Sequence, residues 1–229
     1  MTDVCLVIGA GAGIGGHVGK RFAREGYHVA LCRRSDQDGL DRMIAEIEAD
    51  GGSASGHLLN AVEDGAIEEL IAKVEADIGP INVAVYNLGA QIGNRALMDT
   101  PEKTFELGWR MATLGIFRVA RALFPLMEER GAGALLVTSA TSAMRGNAGQ
   151  HSHAAAMGGR RMLCQTLAHE LGPQGVHVCH IVVDGAVNAP DTLGRMLDMG
   201  GGKGTFETFR DEAGDRILQP VAVAETYFH

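Results

Sequence analysis

The sequence predicts an α/β protein in which helices cover both faces of a doubly wound parallel β-sheet, and three observations indicate this fold class. Strand-like and helix-like segments alternate from the first residues, a pattern typical of right-handed βαβ units. The strand-like runs are continuously apolar, as expected for strands buried on both faces. The 229 residues suit one domain of this kind, and no linker or composition shift divides them. We therefore predict a single domain over residues 1–229.

The first half of the chain supplies three strands, each followed by a helix. The opening run VCLVIGA is apolar and ends in glycine. Apolar residues then recur at helical spacing, and Gly26 is positioned to cap the helix that they predict. Gly51 and Gly52 end the second helix. The predicted strands are 4–10, 28–34 and 55–61, and the predicted helices are 14–25, 38–50 and 64–77.

The second half repeats the same alternation with longer helices. Pro125 predicts a kink or a division in the long helix over 101–130, because proline lacks the amide hydrogen that an interior position donates. Residues 186–216 have no regular pattern. Two interpretations of them stay open, a substrate-binding loop beside the site or an ordinary surface loop. The remaining predicted strands are 80–90, 133–141 and 176–185, and the last predicted helix is 152–171.

Composition and charge exclude several classes of partner. The formal net charge is −8 and no long run of lysine and arginine is present, which argues against nucleic acid or an anionic membrane. No apolar run approaches the roughly 20 residues that span a bilayer, and the N-terminus lacks a signal-peptide pattern. The cysteines lack metal-binding spacing, so we expect free thiols in a reducing, cytoplasmic protein. They are Cys5, Cys32, Cys164 and Cys179.

The glycine-rich segment GAGAGIG at 9–15 predicts a dinucleotide site. It follows a predicted strand and opens a predicted helix. Glycines let the backbone approach a pyrophosphate, and the free N–H groups at the helix N-terminus favour its negative charge. The alternative is a turn that is merely tight. In its strand–turn–helix context the segment favours a Rossmann-type, dinucleotide-binding sheet.

The end of the second predicted strand, LCRRSD, bears on which dinucleotide binds. A site for an unphosphorylated ribose usually has an acidic residue here, whereas this chain has Arg33 and Arg34. Guanidinium groups can pair with a 2′-phosphate. The sequence therefore predicts NADP(H) rather than NAD(H), the alternative being two solvated arginines.

Four segments together resemble motifs of the short-chain dehydrogenase/reductase family. The glycine turn has the spacing GxxxGxG, and INVAVYNLGA is similar to the family's DVLVNNAG strand. SAMRGNAGQHSHAAAM resembles the segment between its catalytic serine and its YxxxK motif. LAHELGPQGVHVCHIVVDGAV resembles its LAxELxxxGIRVNxVxPGxV stretch. These segments occur in the family's order and cover nearly the whole chain, so the sequence is identified as a member of this family.

The resemblance implies cofactor contacts along the chain. Asn60 falls where the family's aspartate bonds the adenine amine, and an amide oxygen can accept the same bond. Residues 87–89 match the NAG turn beside the cofactor ribose. Asp184 stands in place of the proline of the PG turn, where a backbone N–H holds the nicotinamide amide. With the two arginines, the predicted cofactor-binding residues are Gly9, Gly13, Ile14, Gly15, Arg33, Arg34, Asn60, Asn87, Leu88, Gly89, Gly185 and Val187.

The family's catalytic positions hold other residues in this chain. In the mechanism that the resemblance implies, a tyrosine is the general acid, a lysine lowers its pKa, a serine hydrogen-bonds the substrate oxygen and an asparagine holds a relay water. Alignment gives His153, Met157, Ala140 and Ala112 at these four positions, in that order. Positioned proton transfer contributes about 10²–10⁴-fold in rate, so the family's usual route should be severely impaired.

Two hypotheses of function stay open. The first is an oxidoreductase that acts on an unidentified carbonyl or alcohol, with His153 or a hydroxyl near Ser139 in place of the usual proton donor. The residues that offer such a hydroxyl are Ser139, Thr141 and Ser142. The second is a pseudoenzyme that binds the cofactor as a regulator or oligomerisation partner, in which His153 is a polar helix residue facing a cavity. We predict no metal site, because His151 and His153 diverge by about 200° on a helix.

The resemblance also implies a homodimer or homotetramer. Residues 152–171 match the helix through which family members associate, and the small residues of HAAAMGG permit close approach of a partner helix. Packing against the protein's own sheet would account for the same small residues. The family normally continues into one more parallel strand, whereas this sequence ends in VAETYFH, so we expect that last strand to be missing.

Overall fold

The strands of the protein form one parallel sheet whose carboxyl ends share an edge. The computed structural model describes residues 2–89, 94–189 and 206–229. The strands are β1 (Val4–Ile8), β2 (His28–Arg33), β3 (Ser53–Leu58), β4 (Ile81–Tyr86), β5 (Gly133–Ala140) and β6 (Val176–Val183). Their order across the sheet is β3-β2-β1-β4-β5-β6, and every neighbouring pair is parallel. The predicted Rossmann-type, doubly wound sheet is therefore confirmed.

Helices cover the two faces of this sheet. The helices are α1 (Ile14–Arg24), α2 (Gln37–Ala49), α3 (Ala66–Asp77), α4 (Glu102–Trp109), α5 (Gly115–Arg130), α6 (His151–Leu171), α7 (Phe206–Ala213) and α8 (Pro220–Phe228). α3, α5 and α6 pack on one face and α1, α2 and α8 on the other, as the two main clusters of buried side chains show.

The continuously apolar strands follow from this layering. Leu6 of β1 packs in the cluster under α3, α5 and α6, whereas its neighbours Cys5 and Val7 pack in the cluster under α1 and α2. Side chains alternate between the faces of a strand, so a strand covered on both sides needs apolar residues at every position. The outer strands β3 and β6 depart from this rule and are partly exposed along their length.

The sheet reverses its winding between β1 and β4. The chain moves outward from β1 to β2 and β3, then returns to β4 and moves outward the other way. The connections after β1 and β4 therefore run in opposite directions and leave a crevice at the carboxyl ends of these strands, where open α/β sheets bind ligands. This reversal positions the candidate site.

The predicted division of the long helix at Pro125 is wrong. Pro125 lies within an unbroken α5, on its exposed side, where water can take the place of the missing donor. The irregularity lies instead at Arg110–Leu114, where one turn of π-helix joins α4 to α5. π-turns inside helices are frequent at functional sites, and Ala112 and Thr113 of this one are buried.

The prediction that residues 186–216 lack regular structure is wrong in part. Val187 forms a parallel bridge with Leu218, and Phe206–Ala213 form α7. The buried Phe206 anchors this short helix, which is too brief for its apolar spacing to be read from sequence. Residues 190–205 of the predicted loop lie outside the described residues, as does residue 90 of the predicted strand 80–90.

Candidate functional site

The glycine-rich segment at 9–15, which we call the phosphate turn, is built around a close approach between Gly9 and Asn87. Gly9 has φ of +97°, and a Cβ there would lie 3.0 Å from the carbonyl carbon of Asn87. The Asn87 side chain donates Nδ2–H to the carbonyl of Gly9 over 2.9 Å. A Cβ on Gly15 would meet this same Nδ2 at 2.8 Å. Only glycine fits at positions 9 and 15, because a Cβ at either position would collide with Gly9 or with the Asn87 segment.

The N-terminus of α1 opens on this turn. Gly13 precedes the helix and Ile14 and Gly15 begin it, with no capping side chain among the described residues. The first amide groups of a helix have no intrahelical acceptor and favour an anion. A dinucleotide pyrophosphate is such an anion, so the residues at the turn fit the group that the sequence predicts.

The two predicted arginines have different environments. Arg33 is largely buried, donates Nε–H to the carbonyl of Ala10 over 2.8 Å and forms an ion pair with Asp36. Asp36 also accepts the amide of Gly39 and thereby caps α2. Arg34 is exposed and forms no ion pair with the residues that the structure describes. Arg33 is therefore fixed to the phosphate turn, and Arg34 is the guanidinium available to a ligand.

Sequence reasoning missed Asp36 as the partner of Arg33. The spacing i, i+3 was visible in RRSD, but only the fold shows that the first arginine and not the second turns back to this carboxylate.

The other predicted nucleotide contacts lie on the same edge of the sheet. Asn60 donates Nδ2–H to Glu63 over 2.8 Å, which leaves its Oδ1 to accept a bond. Asn87 follows β4, and its amide donates to the carbonyl of Ile8 at the end of β1 over 2.8 Å. Leu88 is half-buried and Gly89 is exposed. The residues after β1, β2, β3 and β4 therefore face one continuous edge.

The turn after β6 reaches the phosphate turn from the opposite side. Val187 is held by its bridge to Leu218, whose amide donates to the carbonyl of Ala186 over 2.8 Å. Gly185 packs against the Leu218 side chain. Ala189, two residues beyond the bridge, is buried against Gly13. A Cβ added at Gly13 would lie only 2.9 Å from the Cβ of Ala189. The fold thus brings the two ends of the predicted cofactor set together.

An apolar cluster occupies two of the four altered catalytic positions. Ala112 of the π-turn and Met157 of α6 are buried together with Ala156, and Ala143 packs against them. The Ser139 hydroxyl, at the end of β5, donates to the Met157 sulfur over 3.8 Å. Met157 therefore fills space between helix and strand, and the Ser139 hydroxyl is directed toward it. Ala140 follows Ser139 as the last residue of β5.

His153, at one of the altered positions, and Ser142, two residues beyond another, are both buried polar groups. His153 lies in the first turn of α6 and is 7 % exposed, and Ser142 lies in the turn after β5 and is 8 % exposed. The Ser142 Oγ has no hydrogen-bond partner among the described residues. His151, by contrast, contacts the carbonyl of Arg95 through Nε2 at 3.0 Å. Thr141 begins the turn that carries Ser142.

A buried arginine that sequence reasoning missed lies beneath these groups. Arg160 is 1 % exposed and donates to three backbone carbonyls, those of Leu88, Ala112 and Thr138. Burial lowers its pKa from the ordinary arginine value, although a guanidinium keeps its proton in proteins. The buried positions of α6 recur every three or four residues, and this spacing, applied to position 160, would have found it. They are 152, 153, 156, 157, 160, 164, 167 and 171.

The predicted free thiols are confirmed. All four cysteines are free, and burial raises the pKa of Cys5, Cys32 and Cys164, the last to about 12. Cys179 is only half-buried because it lies on the outer strand β6. These thiols are therefore protonated near neutral pH. Among the residues that the structure describes, no three or more side chains of His, Cys, Asp or Glu are grouped so that they could hold a metal ion.

No helix among the described residues combines the length and the apolar character that crossing a membrane requires.

Comparison with known proteins identifies the family. Residues 3–192 match the family described as short chain dehydrogenase. The chain is 32% identical over 228 residues to the short-chain reductase protein NovJ of Streptomyces niveus, covering 98% of this chain and 85% of that protein. It is 29% identical over 189 residues to the 3-oxoacyl-(acyl-carrier-protein) reductase FabG of Thermotoga maritima, covering 82% and 76%.

A solved structure agrees with these sequence matches. A variant of actinorhodin polyketide ketoreductase, determined with NADPH, superposes with a TM-score of 0.87 at 27% identity, covering 99% of this chain and 89% of that one. Fold, glycine turn and sequence similarity all lead to one assignment. The chain belongs to the short-chain dehydrogenase/reductase family of NAD(P)-binding oxidoreductases.

Proposed function

We propose that the protein is an NADP(H)-dependent oxidoreductase that interconverts an unidentified carbonyl compound and its alcohol with an altered set of catalytic residues. The single observation that carries this proposal is the interlocked turn of Gly9, Gly15 and Asn87, in which glycine lets the backbone pack closely at the N-terminus of α1. A glycine turn at a helix N-terminus, placed at the reversal of the sheet, is suited to a dinucleotide pyrophosphate. The proposed function treats residues 1–229 as one catalytic domain.

The preference for NADP(H) rests on Arg34. Asp36 partly neutralises Arg33, whereas Arg34 is exposed at the end of β2 beside it. A 2′-phosphate at this place would meet one guanidinium free to pair with it and a second held in position. NADPH is the nucleotide in the structure of the related polyketide ketoreductase, which supports the same preference.

His153 and Ser142 are the residues that we propose to act on the substrate. Bound NADPH would supply a hydride to a carbonyl carbon, and the oxygen then needs a proton. An imidazole can deliver a proton near neutral pH, and His153 is buried in the first turn of α6. Ser142 offers a buried hydroxyl to the same oxygen, whereas the hydroxyl of Ser139, the other candidate, is engaged with Met157.

A second candidate function is cofactor binding without turnover. The apolar cluster of Ala112, Ala156 and Met157 favours it, because it occupies the positions of the family's relay asparagine and its lysine. In that case the protein would act as a cofactor-dependent regulator or as an oligomerisation partner.

The experiment that tests the proposed function is a calorimetric titration with NADPH and with NADH. We expect NADPH to bind more tightly than NADH. We expect Arg34→Gln to lower the affinity for NADPH by about tenfold or more, since a charge-assisted hydrogen bond contributes about 1.5–3 kcal/mol. NADH affinity should stay unchanged in this variant. Arg42→Gln, on the exposed side of α2, is the matched control for loss of a surface charge.

A carbonyl screen then separates the two candidate functions. Substrate-dependent oxidation of NADPH above background would exclude the pseudoenzyme. Tight NADPH binding with no turnover across the screen would favour it. If the wild-type protein bound neither nucleotide, the glycine turn would be architecture only and the oxidoreductase proposal would fail.

A further inference from the structure

We propose that Arg160 is a positioning residue that holds the cofactor-binding turn at residues 87–89, an inference that rests on the proposed function above. The residue does not match any motif by which the family resemblance is recognised. It lies on the buried stripe of α6, three residues beyond Met157, and is 1 % exposed. Its guanidinium therefore acts through its protein contacts and not by touching a substrate.

The guanidinium of Arg160 joins three segments that border the site. Nη2 donates to the carbonyl of Leu88 over 2.7 Å, Nε donates to the carbonyl of Ala112 over 3.1 Å, and Nη1 donates to the carbonyl of Thr138. These carbonyls belong to the turn after β4, to the π-turn and to β5. Because guanidinium donors are held in one rigid plane, the three segments are fixed relative to one another.

Two of the three acceptors come from backbone that departs from regular structure, whereas Thr138 lies within β5. β4 ends at Tyr86, so the carbonyl of Leu88 lies beyond its ladder. The π-turn departs from the α-helical bonding pattern at Ala112, and the neighbouring carbonyl of Met111 accepts the Tyr86 hydroxyl. Buried carbonyls require donors, and Arg160 and Tyr86 supply them from adjacent positions, with the guanidinium 5.5 Å from the Tyr86 ring centre.

The turn at residues 87–89 is held from two sides. On the side of β1, Asn87 bonds Ile8 through its amide and Gly9 through its Nδ2. On the side of α6, Arg160 bonds the carbonyl of Leu88. Removing Arg160 would release one side and leave the other intact, so we expect the turn to loosen without unfolding of the phosphate turn.

Arg160→Met tests this inference, because methionine retains much of the length of the side chain and removes every donor. We expect NADPH affinity to fall by about tenfold or more. In the protein without nucleotide, we expect faster amide hydrogen exchange in residues 87–89. Arg160→Lys keeps the charge and loses the planar fork, so its affinity and exchange rates should lie between those of Arg160→Met and the wild type.

Tyr86→Phe is the matched control for a purely structural role. It removes one buried hydrogen bond to the same π-turn and leaves the bond from Arg160 to Leu88 in place. We expect it to lower Tm while NADPH affinity stays within about twofold of wild type. Arg161→Met controls for the loss of a neighbouring charge on α6 and should bind NADPH as the wild type does.

Several outcomes would overturn the inference. Wild-type affinity and exchange in a folded Arg160→Met would do so, as would an equal loss of affinity in Tyr86→Phe. If Arg160→Met does not fold, Arg160→Lys decides, and wild-type affinity in that variant overturns the inference. Failure of the wild-type protein to bind either nucleotide removes the proposed function itself, whereas normal binding in wild type and variants removes only the role of Arg160.

Discussion

At the scale of single residues, His153 and Ser142 are the side chains that we propose to act on the substrate oxygen. Both are buried, Ser142 in the turn after β5 and His153 in the first turn of α6, and positioned proton transfer contributes about 10²–10⁴-fold in rate. We predict that His153→Phe abolishes any turnover found in a carbonyl screen and that Ser142→Ala lowers kcat by about tenfold or more. NADPH affinity should change little in either variant, because neither residue belongs to the nucleotide half. Steady-state kinetics and titration measure both effects.

The matched control is His169→Phe, an exposed histidine in the last turn of α6. Unchanged turnover in His153→Phe would remove the imidazole from the mechanism. An effect of Ser139→Ala larger than that of Ser142→Ala would transfer the hydroxyl role to Ser139.

At the scale of elements, β3 depends on polar side chains because few of its residues are apolar. Ser55 and His57 of β3, together with His28 of β2, form a hydrogen-bonded row in which His28 Nε2 lies 3.0 Å and His57 Nε2 lies 3.1 Å from the Ser55 Oγ. His28 Nδ1 also contacts Ser53 at 2.7 Å. Burial lowers the pKa of both histidines, and for His57 the nearby Lys73 and His28 lower it further. We predict that this row makes stability depend on pH.

The direction in which the free energy of unfolding changes with pH follows from the direction of the pKa shifts. In the unfolded chain the histidines titrate near the ordinary value of about 6.5, and in the folded protein they titrate below it. The unfolded state therefore binds more protons as the pH falls through this range, and the free energy of unfolding decreases. It should be at its full value above about pH 6.5. Denaturant unfolding at several pH values should show a flatter dependence in the double variant His28→Asn, His57→Gln. An unchanged slope in that variant would contradict the prediction.

At the scale of the whole molecule, α4, α5 and α6 expose large apolar side chains. Phe105, Trp109 and Phe117 are each more than two-fifths exposed, and Met162 of α6 is half exposed. Side chains of this size on a surface mark association sites when they cluster. Sequence reasoning had connected 152–171 with a homodimer or homotetramer, and we predict that these helices form the interface. Phe117→Glu should lower the molar mass measured by sedimentation velocity, because it would bury a charge between subunits.

Val221→Glu is the control for this experiment. Val221 is an exposed apolar residue of α8, on the opposite layer of the protein, so its substitution should leave the mass unchanged. A monomeric wild type, or equal masses for wild type and Phe117→Glu, would refute an interface on this face.

The sequence alone determined the sheet, the phosphate turn and the family. The apolar runs and the helical spacing are local, and they repeat the βαβ unit often enough to define the winding. The glycines at 9 and 15 indicate a close approach wherever they occur between a strand and a helix. Pro125, by contrast, predicted a break that did not occur, because its exposed side of α5 tolerates the missing donor.

Only the tertiary structure decided what the altered site contains. Leu88 and Arg160 are 72 residues apart in the chain, and Met157 meets Ser139 across 18 residues. Whether a polar group is engaged, buried or available depends on such partners, and the partners meet only when the sheet and α6 have packed. The spacing of apolar residues in the sequence indicates which face of a helix or strand is apolar. Hydrogen bonds between distant segments then determine which polar groups on that face are left to bind a cofactor or a substrate.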